Sequence, residues 1–139
     1  MSIDLGRNIN YDSSIEDSIW APLRKHTLFQ GMNGSQRMMI ALAIGLNKGV
    51  RTKLKGKAPK VNLRGNNEIA DRFQAYIIAV AVQEKGLDFL DRSNSEIREI
   101  SEEYINTGLR EMEKIFLKNE DLTLQINKLN LILVKKFKK

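Results

Sequence analysis

The densest run of chemically active side chains in this sequence is basic. In the stretch VRTKLKGKAPK, residues 50–60, lysine or arginine recurs at nearly every second position. Gly56 and Pro59 disfavour a continuous helix, and alternate side chains of an extended chain point to the same side. The pattern predicts a row of cations on an exposed loop or short strand, here called the basic segment (residues 48–64). Its candidate binding residues are Lys48, Arg51, Lys53, Lys55, Lys57, Lys60 and Arg64.

A row of cations is suited to binding successive phosphates of a nucleic acid, because each neutralised phosphate releases counterions. Such contacts attach a protein to the backbone but do not read the bases. The sequence has no aromatic residue between Phe29 and Phe73 that would stack on bases beside these cations. Three interpretations of the basic segment remain open. It binds a polyanion such as DNA or RNA, it binds an acidic protein surface, or it is a solvated loop that only aids solubility. We take the polyanion, and nucleic-acid phosphate first, as the working hypothesis.

Residues suited to catalysis or metal binding are scarce. The chain has no cysteine and a single histidine, His26, which removes thiolate metal sites and leaves little for a nucleophilic triad. Glu96, Glu99, Glu102 and Glu103 recur at helical spacing, a pattern typical of a solvated helix face near an N-terminus. Neither GxxxxGK[ST] nor GxGxxG is present. We predict no catalytic residues, no metal site and no cofactor.

Charge is unevenly distributed along the chain. From Ser18 to Asn67 there are ten basic residues and no acidic one, whereas from Glu68 to Lys118 eleven acids face seven bases. The asymmetry favours an anionic partner for the first half, or an oligomer or larger complex in which the oppositely charged regions meet.

The elements that must position these residues are predicted to be helical, in an all-α or predominantly α bundle. Four helical regions follow from capping residues, glycine stops and apolar periodicity. One begins at Ser13, one runs from Ser35 to Gly49, one from Asn66 or Asn67 to Gly86, and one from Ser93 to Lys118.

Two of these regions carry further predictions. The nearly unbroken apolar run from Ala75 to Val82 indicates deep burial, and Gly108 within the fourth helix indicates close packing. The fourth helix should be amphipathic, with an inner face formed by Ile97, Ile100, Tyr104, Met112 and Phe116.

The domain organisation is predicted to be a single helical domain over residues 1–118, followed by a C-terminal extension over residues 119–139. In the extension, helical and hairpin patterns compete, and we prefer a helix packed on the domain or on a partner. The polar N-terminus lacks signal-peptide features, and the longest apolar runs are too short to cross a membrane. A cytoplasmic protein that does not bind membranes is expected.

Three stretches resemble the Dnd-system-associated family, small prokaryotic proteins linked to DNA phosphorothioation. They are FQGMNGSQRMMIALAIGLNKGVRTKLKGK, AYIIAVAVQEKGLDFLD and ISEEYINTGLREMEKIF, and the resemblance spans roughly residues 15–118. It implies an accessory component of a DNA-modification or anti-phage system, without catalytic residues to carry over. Two functions follow: a non-catalytic nucleic-acid-binding component, or an adaptor docked on a larger ATPase or nuclease subunit. A homo-oligomer is compatible with both.

Overall fold

Helices form most of the fold, which confirms the predicted helical class. The computed structural model describes residues 8–62, 68–118 and 126–132. Two short antiparallel strands pair with each other, with a bulge between Ile9 and Asn10. In chain order the elements are β1 (Asn8–Asp12), α1 (Ala21–Lys25), α2 (Gly34–Lys48), β2 (Lys57–Asn62), α3 (Glu68–Lys85), α4 (Asn94–Met112) and α5 (residues 126–132).

The ends of the long helices follow from local backbone chemistry. Gly49 and Gly86 adopt left-handed φ angles of 77° and 88°, and both stops predicted from the sequence are confirmed. The predicted N-cap at Ser35 is wrong by two residues. Asn33 caps α2 instead, because its side chain accepts a hydrogen bond from the Gln36 amide at 2.9 Å while the Gln36 side chain accepts from the Asn33 amide at 3.0 Å.

The first helical region changes its winding along the chain. A 3₁₀ turn at Ser13–Ile15 is followed by a π-helical turn at Glu16–Trp20 and then by α1, in which Pro22 occupies the first turn, where its missing N–H is tolerated. Asp12, not Ser13, caps this region. The large apolar side chains of this region are nevertheless buried, and they are Ile15, Ile19, Trp20 and Leu23.

Helices α2 and α4 cross with their backbones in contact. A Cβ atom on Gly45 would overlap the carbonyl oxygen of Tyr104, and one on Gly108 would overlap the carbonyl oxygen of Ala41. Each glycine therefore faces a carbonyl of the other helix. This geometry confirms that Gly108 serves close packing.

Helix α3 is buried on one side only. Phe73, Ile77, Val80 and Ala81 point into the core, whereas Ala75, Tyr76 and Ala79 are exposed, the tyrosine by 49%. The predicted deep burial of the whole run from Ala75 to Val82 is therefore wrong. The physical reason is that α3 packs against α4 and α2 on its inner face, while no described element covers its outer face.

Helix α4 runs through the centre of the fold. Of its predicted inner face, Ile97, Ile100, Met112 and Phe116 are buried, the last in a π-helical turn (Glu113–Leu117) that prolongs the helix, and Tyr104 is half-buried. In the C-terminal extension, residues 126–132 are helical, and Leu129 and Ile132 pack against the core. The rest of the extension lies outside the described residues.

Strand β1 was not expected from the sequence, and α4 covers its free edge. The Asn10 amide donates to the Glu102 carboxylate at 2.6 Å, and the Asn8 carbonyl accepts from the Arg98 guanidinium at 2.9 Å. These bonds occupy backbone groups that would otherwise attract another strand. The residues of β1, NINYD, do alternate between polar and apolar, but a run of five is short and sequence analysis did not use it.

We expect Gly108→Ala to lower the free energy of unfolding by about 3 kcal/mol, at the upper end for overpacking, because the obstacle is backbone. Gly31→Ala is the matched control: nothing lies within 4 Å of its added methyl group, and its effect should stay within about 0.5 kcal/mol. Urea denaturation of the three proteins checks this. Equal midpoints for wild type and Gly108→Ala would contradict the crossing geometry.

Candidate nucleic-acid interface

The basic segment is held onto α4 through its backbone. The Thr52 amide donates to the Glu103 carbonyl at 3.2 Å. The Thr52 hydroxyl donates to the Thr107 hydroxyl at 2.7 Å, which in turn donates to the Val50 carbonyl at 2.7 Å. These bonds use main-chain groups of the segment, so its lysine side chains remain available for other contacts.

Asn106 extends this attachment by one further residue. Its side-chain amide lies 3.1 Å from the Thr52 carbonyl oxygen and 3.2 Å from the Lys53 carbonyl oxygen. On the other side of the segment, the Ser13 amide donates to the Gly56 carbonyl at 2.7 Å. Residues without helix or strand geometry are thus fixed from two directions.

The carboxylate of Asp12 joins all of these parts. It is fully buried and accepts hydrogen bonds from the Lys55 amide at 3.1 Å, the Arg110 guanidinium at 2.9 Å and the Asn106 side chain at 3.3 Å. It also accepts from the Ser14 amide and hydroxyl at 3.0 and 2.6 Å. One side chain therefore connects the end of β1, the turn after it, the basic segment and α4.

Two opposing effects act on the pKa of Asp12. Burial alone raises it, but the hydrogen bonds from Ser14 and Lys55 and the charge of Arg110 outweigh burial and lower it from 3.8 to about 2. The carboxylate is therefore held ionised in the folded protein.

Exposure alternates along the basic segment. Lys53, Lys55 and Lys57 are exposed, while the residues between them are half-buried. Among the described residues, none forms an ion pair with Lys53 or Lys55. The Lys57 ammonium lies 3.6 Å from a Glu99 carboxylate oxygen and remains 54% exposed, so this pair is weak. These three lysines form the row of cations that the spacing indicated, and we call them the lysine row.

The other candidates are placed differently. Arg51 lies between two carboxylates, 3.0 Å from Glu84 and 2.9 Å from Glu103. Burial lowers its pKa, but hydrogen bonds to both glutamates outweigh that effect and raise it. Lys48 is exposed at the end of α2, 3.8 Å from Glu111, and Arg64 lies outside the described residues.

Lys60 is turned away from the lysine row. It is the extra residue of the bulge, because Pro59 and Val61 pair with the consecutive residues Asn10 and Ile9. Its ammonium lies 2.9 Å from Glu16, 4.8 Å from the centre of the Tyr11 ring and 5.2 Å from that of Trp20. Lys60 therefore stabilises the packing of β2.

The two oppositely charged halves of the chain meet within the molecule. Glu102 and Glu103 are buried on α4, so the prediction that they lie on a solvated face is wrong. Glu103 binds Arg51, and Glu102 accepts from the β1 backbone. Burial raises the pKa of Glu102, against the opposing influence of the Asn10 amide, Arg98 and Lys57. The spacing of the acids could not show that a strand and an arginine lie over them.

A groove next to the basic segment contains an aromatic residue that sequence analysis did not connect with it. Its volume is about 310 Å³, and it adjoins the segment through Arg51 and Glu99. The half-buried Phe89 lines it together with the exposed cations Lys85 and Arg92. Phe89 lies 38 positions after Arg51 in the chain, so only the fold reveals this proximity.

Arg37, in the first turns of α2, is buried to all but 6% of its surface. It donates to the Met32 carbonyl and lies 5.2 Å from the centre of the Trp20 ring, but no acidic side chain of the described residues pairs with it. Burial, and secondarily the charge of Arg24, lower its pKa. An unpaired buried charge costs several kcal/mol, whereas a desolvated cation–π contact returns about 2 kcal/mol. The burial of Arg37 is therefore incompletely compensated.

Within residues 8–62, 68–118 and 126–132, no group of three potential metal-binding side chains comes together. In the same residues, no helix combines the length and apolar character needed to cross a membrane.

Comparison with known proteins adds no assignment. No protein-family model matches the chain, and neither a curated protein nor a solved structure is significantly similar to it.

We expect Asp12→Asn to remove about 2 kcal/mol of stability at pH 7, since the pKa of Asp12 falls from 3.8 to about 2 on folding. The folded-state pKa lies below the unfolded value, so the contribution is present above about pH 4 and is lost as the pH falls towards 2. Unfolding free energies measured across this range should therefore converge for variant and wild type. Asp17→Asn, at an exposed aspartate, is the control and should be neutral. A constant difference between Asp12→Asn and wild type down to pH 2 would contradict the assignment.

Proposed function

We propose that this protein is a nucleic-acid-binding accessory protein without catalytic activity of its own. The lysine row, Lys53, Lys55 and Lys57, would contact the phosphate backbone. The observation that carries the proposal is the attachment of the segment: its main chain is fixed on α4 and Asp12, while the side chains of the lysine row stay in solvent.

The rigid attachment favours binding over a solubility role. A loop that only improves solubility needs no fixed backbone, whereas a binding site gains affinity when its groups are ordered before the ligand arrives. Here a buried carboxylate, Asn106 and Thr107 hold the segment, and every one of those contacts leaves a lysine side chain free.

The size of the lysine row sets the expected strength of binding. If fully extended, the chain from Lys53 to Lys57 covers about 13 Å, the axial length of about four nucleotides of one strand, and the bend at residues 55 and 56 shortens this reach. Three phosphate contacts make affinity fall about 40-fold between 50 and 200 mM salt. Such a site attaches the protein irrespective of sequence, as expected for a component that helps larger enzymes hold DNA.

The resemblance to the Dnd-system-associated family supports a place for this accessory role in a DNA-modification or anti-phage system. In that setting the lysine row contributes attachment, and larger partner proteins contribute the chemistry.

We expect the triple variant Lys53→Gln, Lys55→Gln, Lys57→Gln to fold normally and to bind duplex DNA more weakly for all sequences alike. The slope of log affinity against log salt should become shallower by up to about 2.7, since each phosphate contact contributes about 0.9. Fluorescence anisotropy with labelled duplexes at several salt concentrations measures both quantities.

The control is a second triple variant with the same change of net charge at exposed lysines away from the basic segment, Lys114→Gln, Lys118→Gln, Lys128→Gln. It should keep nearly the wild-type slope. If both triple variants lose equal affinity, only the net charge matters and the lysine row is not the site.

Thr107→Val tests the rigid attachment separately from charge. It removes the hydroxyl that binds the Val50 carbonyl and the Thr52 side chain but keeps the side-chain volume. We expect an affinity loss of about fivefold, corresponding to about 1 kcal/mol for a lost hydrogen bond, with an unchanged salt slope because all cations remain. A shallower salt slope would show that the attachment determines how many phosphates the lysine row contacts, and not how strongly each contact is made.

The adaptor function is the second candidate, and the exposed side of α3 favours it. Ala75, Tyr76 and Ala79 form an apolar surface that no described element covers. Aromatic residues of this kind are enriched in protein interfaces. Ala79→Arg should abolish association with a co-purifying protein while leaving DNA affinity intact. Loss of DNA binding without loss of that association would instead exclude α3 as the docking surface.

A further inference from the structure

The buried guanidinium of Arg37 has a neighbour with a negative face but no carboxylate. The centre of the Trp20 ring lies 5.2 Å from the guanidinium carbon. The Nη1 group of Arg37 donates to the Met32 carbonyl, and the Nε group of Arg37 has no hydrogen-bond partner. The residue is more than nine-tenths buried. Elsewhere in the described chain, the more exposed Arg51 and Arg110 each bind a carboxylate that is itself largely or wholly buried.

The guanidinium lies at the N-terminal end of α2. Its bond to Met32 reaches back to the residue before the N-cap Asn33. The capping box of Asn33 and Gln36 satisfies only part of the free amides in that first turn, and the helix dipole adds positive potential there. The charge of Arg24 acts on the same guanidinium. Two arginines and a 15-residue helix therefore direct positive potential to one place.

We propose that this place is an oxyanion site for a phosphate group, bound by Arg37 at the N-terminus of α2, with Arg24 as a second source of positive charge. A phosphate monoester suits the site better than a carboxylate, because its two negative charges match two guanidiniums and its oxygens accept bonds from both arginine and amide groups.

The site is separate from the proposed function. Arg37 contacts Trp20 from the side of α2. Lys60 of the basic segment contacts the same ring, but it already binds Glu16 and is turned away from the lysine row. Binding at Arg37 therefore does not require that Lys53, Lys55 and Lys57 bind nucleic acid.

Trp20 makes the site directly measurable, because it is the only tryptophan in the chain and it contacts the guanidinium. We expect titration with inorganic phosphate at millimolar concentration to change its fluorescence in a saturable way. At tenfold excess over the dissociation constant, the melting temperature should rise by about 4 °C. Both responses should disappear in Arg37→Met.

The sign of the stability change without anions gives a second test. Removing a buried charge that lacks a partner should leave the melting temperature of Arg37→Met equal to or above that of wild type in phosphate-free buffer. Arg110→Met, the matched control, leaves the Asp12 carboxylate without its ion-pair partner and should melt several degrees lower. Should Arg37→Met not fold, the exposed Arg24→Gln takes its place, with a several-fold loss of phosphate affinity expected.

Three further ligands distinguish the source of the phosphate. A nucleoside monophosphate that binds as tightly as inorganic phosphate indicates a free small anion, whereas a clear preference for a 5′-phosphorylated oligonucleotide over its 5′-hydroxyl form indicates a nucleic-acid end. Unchanged Trp20 fluorescence and melting temperature with all of these ligands would overturn the proposal. So would an equal response of wild type and Arg37→Met, because phosphate also stabilises proteins by exclusion from their surface. The lysine-row triple variant should keep the full phosphate response, and Arg37→Met should keep duplex binding.

Discussion

The ionised carboxylate of Asp12 is the constraint on which the rest of the structure depends. A charge with no exposure to water needs several donors, and it has them from Ser14, Lys55, Asn106 and Arg110. These donors come from three parts of the fold: the turn after β1, the basic segment and α4. Satisfying this one group therefore determines where the basic segment runs over α4. The basic segment, much of which has neither helix nor strand geometry, is therefore ordered by Asp12, a residue outside it.

Ion pairing within the chain changes what the charge distribution means. The acidic half supplies partners for Arg51, Lys57 and Lys48, so much of the basic half needs no external anion. What distinguishes Lys53 and Lys55 is that the fold leaves them unpaired among the described residues while fixing their main chain. Arg37 differs from these lysines because its side chain is fixed and buried, yet no carboxylate of the described residues pairs with it. The net charge of a region therefore shows neither which exposed cations are unpaired nor which buried cations lack a carboxylate.

Local chemistry was predictable from the sequence, and tertiary context was not. Gly49 and Gly86 end helices because left-handed backbone favours glycine at any such position. The alternation of the lysine row likewise depends only on an extended chain. The burial of Glu102 and Glu103 depends on β1 and Arg51, which are distant in sequence, and the exposure of Ala75 and Ala79 depends on which side of α3 meets α4. Lys60 lies three positions after Lys57, so alternation alone separates its side chain from the row, and its contacts with Glu16, Tyr11 and Trp20 come from residues distant in sequence.

The Asp12 network also has a consequence for synthesis on the ribosome. Asp12 leaves the ribosome before Arg110, which lies 98 positions later and completes the coordination of the carboxylate. Until α4 has emerged, the carboxylate stays hydrated, β1 has an open edge, and the lysines stand on an unattached chain. Contacts of such sequence separation slow folding, because the loop between them must close before they form. The basic segment therefore becomes ordered only after α4 has emerged and Arg110 has completed the Asp12 network.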